Sequence, residues 1–126
     1  MSGRKSSFET LDCWKEARAL KIFIRKEIRP KLPKHEQFDL ADQLRRAARS
    51  ITANIAEGYG RYHSLDEAKF LSNARGSAHE VLDHLIDACD EGYITDQLLT
   101  DSRKQLDEVL KLINGYRAYI IRRSKE

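Results

Sequence analysis

Apolar positions recur at steps of three and four through most of this chain and divide it into four segments. Over residues 40–58, Leu40, Leu44, Ala47, Ala48, Ile51 and Ile55 form one apolar strip. That spacing is the period of an amphipathic helix. Two polar strips flank it. Gln43, Arg46, Ser50, Asn54 and Glu57 run along one side, and Arg45 and Arg49 along the other. Polar groups set so regularly beside a core strip are placed to meet a neighbouring helix, a neighbouring subunit or a ligand.

An earlier helix is predicted from about Thr10 to Arg29, with Leu11, Trp14, Ala17, Leu20 or Ile22, Ile24 and Ile28 facing inward. Thr10 is its expected cap, since a hydroxyl there accepts an orphan amide proton of the first turn. Pro30 and Pro33 stop it, because proline has no amide proton and biases the residue before it away from helix. The second helix starts between Glu36 and Asp39 and ends at Gly58, where Gly58 and Gly60 allow positive backbone φ. Ser64 and Glu67 have the spacing of a capping box and open a third helix that runs to Glu91. Leu71, Ala74, Ala78, Val81, Leu82, Leu85 and Cys89 share its apolar face. Gly92 ends it. Thr95 or Asp96 caps a fourth helix to Arg122, with Leu98, Leu99, Leu106, Val109, Leu110, Ile113, Tyr116 and Ile120 inward.

Long helices joined by short connectors pack as antiparallel neighbours. The pattern therefore predicts an all-α, up-down-up-down antiparallel four-helix bundle. It reads as a single domain over residues 1–126, with flexible ends at 1–7 and 123–126.

The second and third helices are joined by a short loop and should lie side by side. On the third, Asn73, Ser77, Glu80 and His84 form a polar flank. Arg46, Ser50 and Asn54 are then expected to face Glu80, Ser77 and Asn73, with Arg46 and Glu80 forming a charge-assisted pair. Such a seam fixes helix register. The same residues would also serve as a ligand or partner site, or as a solvated face.

Composition narrows the chemistry. No apolar run approaches the roughly 20 residues needed to span a bilayer. Met1 to Ser7 is polar and basic without an apolar stretch behind it, so no signal peptide is expected. The expectation is a cytoplasmic protein with no membrane partner. Cys13 and Cys89 fall on separate helices and read as buried free thiols. No metal or cofactor is expected. His79 and His84 are five apart and do not stack on one helix face, and no Glu-x-x-His motif of the di-iron kind is present. Glu57-Gly-Tyr-Gly-Arg follows a helix and lacks the phosphate-loop pattern. Ser50, Ser77 and Cys13 have no evident base, so no catalytic residue is assigned. A small enzyme stays open as a reading without a named reaction.

Charge gives the one positive functional signal. The net +3 is unevenly spread: residues 1–30 carry +4, 31–62 carry +2, 63–101 carry −7 and 102–126 carry +4. The charges either neutralise one another between neighbouring helices or leave a basic surface for a polyanion. Arg45, Arg49 and Arg61 gather around the second helix and its exit, with Tyr59 and Tyr62 beside Arg61 to stack on unpaired bases. In an antiparallel bundle, Arg61 should share one end with Arg122 and Arg123. Arg45, Arg49, Arg61, Arg122 and Arg123 are thus the candidate nucleic-acid contacts, made to phosphates without sequence preference. The alternative from another class is a protein-interaction or assembly module that binds no nucleic acid.

Three stretches carry a family resemblance: Phe8-Glu-Thr-Leu-Asp-Cys-Trp-Lys-Glu-Ala, then Gln43-Leu-Arg-Arg-Ala with Ser50-Ile-x-x-Asn-Ile-Ala-Glu-Gly, then Ala74-Arg-Gly-Ser-x-x-Glu80. They resemble the four-helix-bundle proteins encoded in intervening sequences of 23S ribosomal RNA genes, and the related accessory variability determinant of diversity-generating retroelements. The resemblance spans roughly residues 8–121. It implies a bacterial, cytoplasmic bundle assembled as a ring-like homopentamer. The retroelement branch implies a basic surface that binds nucleic acid and a reverse transcriptase. For the intervening-sequence branch no activity is implied. By resemblance, Gln43, Arg46, Ser50, Asn54, Glu57, Ser77 and Glu80 are the family's polar positions, read here with Asn73 as helix- or subunit-packing residues.

Overall fold

The computed structural model describes residues 7–126. Helix α1 spans Asp12–Phe23, α2 Leu40–Tyr59, α3 Ser64–Asp90 and α4 Asp96–Ser124. Both α1 and α3 pack against α2 and α4. Antiparallel direction follows from the pairs that meet. Ser50 lies against Ser77, Gly58 against Phe70, and Tyr116 against Glu67. The observed architecture is the up-down-up-down bundle that the periodicity predicts.

The core follows the apolar strips. Leu20, Ile24, Leu44, Ile51, Ile55, Leu71, Leu85, Leu106 and Ile113 are buried. Ala47, Ala48, Ala74 and Ala78 are buried with them, and their small side chains allow α2 and α3 to approach closely. On α3 the innermost residue of the last turn is Ala88, while Cys89 is only half-buried and its thiol donates to Asp96 Oδ1 at 3.3 Å. The expectation of two buried thiols therefore holds for Cys13 alone.

The first helix departs most from expectation. A 3₁₀ turn, Phe8–Thr10, precedes it and Leu11 is extended, so Leu11 stands at the cap position without a side-chain bond. Thr10 Oγ1 donates to the Ser7 carbonyl at 2.8 Å and caps nothing. After Phe23 the helix widens into a π turn over Ile24–Ile28, with the Arg29 amide bonded to the Ile24 carbonyl. Pro30 is the local cause: it supplies no amide proton to the turn below it, and its ring crowds the carbonyl four residues back. A 3₁₀ turn at Arg29–Lys31 then ends the segment.

The glycines and caps also differ from expectation. Gly58 lies inside α2 and Gly60 closes it at φ −78°. Among the described residues only Gly92 has positive φ, at 81°, where it ends α3. Gly58 serves close packing instead: a Cβ there would stand 2.9 Å from Phe70 Cβ. The α2 cap residue Asp39 makes no side-chain cap bond, and Glu36 accepts the Leu40 amide at 3.4 Å. The Ser64–Glu67 capping box does not form. His63 holds the cap position, and Glu67 is buried, accepting from Tyr116 Oη at 2.9 Å. Thr95 does cap α4, accepting the Leu98 amide at 3.1 Å. α4 continues to Ser124, so Arg123 and Ser124 are helical where a flexible end is expected. Apart from Ser7, the expected flexible tip lies outside the described residues.

Candidate nucleic-acid interface

The predicted polar seam forms in part. Ser77 Oγ donates to Ser50 Oγ at 2.8 Å across α2 and α3. Asn54 Nδ2 donates to the Ser50 carbonyl at 2.8 Å and to Ser50 Oγ at 3.0 Å. The remaining members stay on their own helices. Arg46 Nε donates to Asp42 Oδ2 at 2.8 Å, and Glu80 bonds to His84 at 3.3 Å, so the expected Arg46–Glu80 pair is absent. Glu57 pairs with Arg61 at 2.9 Å. Gln43 and Asn73 are exposed. Each charged group finds a partner one turn away on its own helix, at lower entropic cost than a reach between helices.

The other flank of α2 holds a different arrangement. Arg45 and Arg49 meet Lys21, Arg25 and Arg29 from the end of the first helix, and together with Ile22, Ile24 and Ala48 they line one cleft of about 280 Å³. Ile24 and Ile28 of the π turn are in the core, 1% and 0% exposed, while Arg25 within the turn and Arg29 just after it lie on the cleft side.

The cleft is lined by one sign of charge. Arg45 donates to Asp42 Oδ1 through Nε at 3.0 Å and Nη2 at 2.7 Å. Bonds from both Arg46 and Arg45 hold the Asp42 carboxyl below its ordinary range. Lys21, Arg25, Arg29 and Arg49 have no carboxylate within ion-pair distance among the described residues. The Arg29 Nε is buried without a hydrogen-bond partner. Lys21 Nζ reaches only Thr52 Oγ1, at 3.4 Å. Burial, and then the like charges of Arg49 and Arg18, pull the Lys21 ammonium below its ordinary value. An anion in this cleft would relieve the crowding of like charges.

Arg61 and the end of α4 come to the opposite end of the bundle, where Tyr62–Leu65 and Ser124 line one shallow depression. Arg61 lies 4.6 Å over the Phe70 ring while bonded to Glu57. Arg123 lies 5.6 Å over Tyr119. Arg122 is exposed, and Tyr62 is fully so. The five arginines singled out in the sequence thus fall into two places, Arg45 and Arg49 in the cleft and Arg61, Arg122 and Arg123 at the far end. Lys21, Arg25 and Arg29, from the end of the first helix, complete the cleft and are not among those five.

Among the described residues, no three His, Cys, Asp or Glu side chains converge as a metal site. Burial pushes the Cys13 thiol up to about 11, which keeps it protonated. Among the described residues, no helix is long and apolar enough to cross a membrane.

Fold and cleft together define a class: a small four-helix bundle with a basic cleft where its first two helices meet. The chain belongs to the 23S rRNA-intervening sequence protein family, whose model matches residues 9–115. It is similar in fold to a protein of unknown function from the S23 ribosomal protein family of Bacteroides thetaiotaomicron. That crystal structure superposes with a TM-score of 0.76 at 21% identity, over 84% of this chain and 95% of the other. No curated protein matches the chain.

Proposed function

We propose that this protein is a non-catalytic, homo-oligomeric nucleic-acid-binding protein that holds an RNA or DNA backbone through the α1–α2 cleft. The observation that carries this reading is the convergence of Lys21, Arg25, Arg29, Arg45 and Arg49 on one concavity with no carboxylate among its lining residues. A concavity of one charge sign concentrates a polyanion and speeds its capture. Phosphate contacts of this kind position a strand without reading its sequence. The lining has no histidine, serine or cysteine either, which favours binding over reaction. At the far end, Tyr62 beside Arg61, Arg122 and Arg123 offers a ring to an unpaired base and cations to its neighbours.

Self-association is the form that the family resemblance implies. The same resemblance supports a pentameric ring as the assembly. A second reading, a protein-interaction module, is favoured by the groove of about 570 Å³ between α1 and α4, lined by Leu11, Leu112 and Tyr116 among others.

Binding of labelled single-stranded RNA, measured by anisotropy across a salt series, tests the first reading. A log–log slope steeper than about −2, near −0.7 per phosphate contact, is expected. A slope near zero would remove phosphate contacts and leave the protein-interaction reading. Sedimentation velocity on the same sample should show one oligomer and no monomer.

A further inference from the structure

We infer that the α1–α2 cleft is a site for a compact, multiply charged phosphate group: the terminal phosphate of a strand or a free pyrophosphate. This rests on the nucleic-acid reading for its strand-bound form. An internal phosphodiester carries one negative charge, and successive ones are spread along the backbone. The cleft instead gathers five cationic side chains around about 280 Å³. Four of them have no carboxylate partner among the described residues. Such a density of positive charge in a concavity matches two or more negative charges held close together.

The donor geometry agrees. Guanidinium groups bond phosphate oxygens through paired N–H groups. Arg25 and Arg29 approach from the π turn and Arg45 and Arg49 from α2, so the cleft offers forks from two walls. Arg29 contributes a buried Nε that has no protein acceptor. A phosphate with three free oxygens can accept from both walls at once, while a diester has two. The apolar side chains of Ile22, Ile24 and Ala48 complete the lining.

One set of titrations tests this. Short oligoribonucleotides of one sequence, carrying a 5′-phosphate, a 3′-phosphate or neither, are compared with sodium pyrophosphate on the wild-type protein and on the double variant Arg25→Gln/Arg49→Gln. Both residues are exposed, so the variant should fold, and its melting curve checks that. Binding about tenfold tighter for a phosphorylated end, competed by pyrophosphate and lost in the variant, supports a strand terminus as the ligand. Pyrophosphate binding that the variant loses, with strands that do not differ, supports the free ligand. Equal binding of all strands with no pyrophosphate binding overturns the inference. So does pyrophosphate binding that the variant leaves unchanged. In both cases the nucleic-acid reading stands as long as strand binding keeps its steep salt slope. A wild type that binds pyrophosphate but no strand would instead reject the nucleic-acid reading and keep the site.

Discussion

Ser77 Oγ donates to Ser50 Oγ at 2.8 Å, and this hydroxyl pair is where the polar flanks of α2 and α3 meet. It lies at a half-buried point between strips of small core residues. Ser50→Ala and Ser77→Ala should each cost about 1 kcal/mol, and the double mutant should cost less than their sum. The same cycle on Arg46 and Glu80 should be additive within about 0.5 kcal/mol, because the two do not touch. Denaturant unfolding of the two cycles checks both statements.

Tyr116 and Glu67 form a second link, between α4 and α3, and its carboxyl is buried. Burial raises the Glu67 pKa above 4.5, while the Tyr116 bond and the Arg123 charge pull the other way. A raised folded-state value means that the folded chain keeps a proton the unfolded chain has released. The contribution to stability is complete below 4.5 and is lost as pH rises through the folded value. Glu67→Gln removes the titration and keeps an oxygen for Tyr116 to bond. The variant should match or exceed the wild type in stability at pH 7, with the difference closing toward pH 4. A variant that is the less stable at pH 7, with the gap widening as pH rises, would contradict this. Tyr116→Phe, which leaves Glu67 buried without its donor, should cost about 1–3 kcal/mol.

Two helix glycines should respond in opposite directions to alanine. At Gly58 the new Cβ would meet Phe70 Cβ at 2.9 Å and the Glu67 carbonyl at 3.2 Å. Overpacking of about 1–3 kcal/mol should exceed the gain in helix propensity of about 1 kcal/mol. At Gly76 nothing lies within 4 Å, so Gly76→Ala should stabilise by about 0.5–1 kcal/mol. Thermal melts of the two variants decide it.

The bundle was legible because burying three-four strips of Leu, Ile and Ala leaves few alternatives for helices with short connectors. Thr95, Gly92 and the proline stop were legible for a different reason, since each acts on the backbone within a few residues of itself. Interhelical side-chain choices were not. Arg46 had two acceptors within its sequence reach, and the one on its own helix won. Glu67 has capping-box spacing, yet Tyr116 from a helix 49 residues away captured its carboxylate. The cleft is assembled from two segments, Lys21, Arg25 and Arg29 from the first and Arg45 and Arg49 from α2, and only their packing brings these together. A basic residue near a helix end is too ordinary, by sequence alone, to separate from solvated charge.

The central claim is that the cations of the α1–α2 cleft hold phosphate. The most direct test is the salt dependence of single-stranded RNA binding in three proteins: wild type, Arg25→Gln/Arg49→Gln and Arg122→Gln/Arg123→Gln. Removal of the cleft pair should weaken binding and flatten the log–log slope by about 1 or more, and by more than removal of the α4 pair. A cleft variant whose affinity and slope both equal those of the wild type would contradict the account.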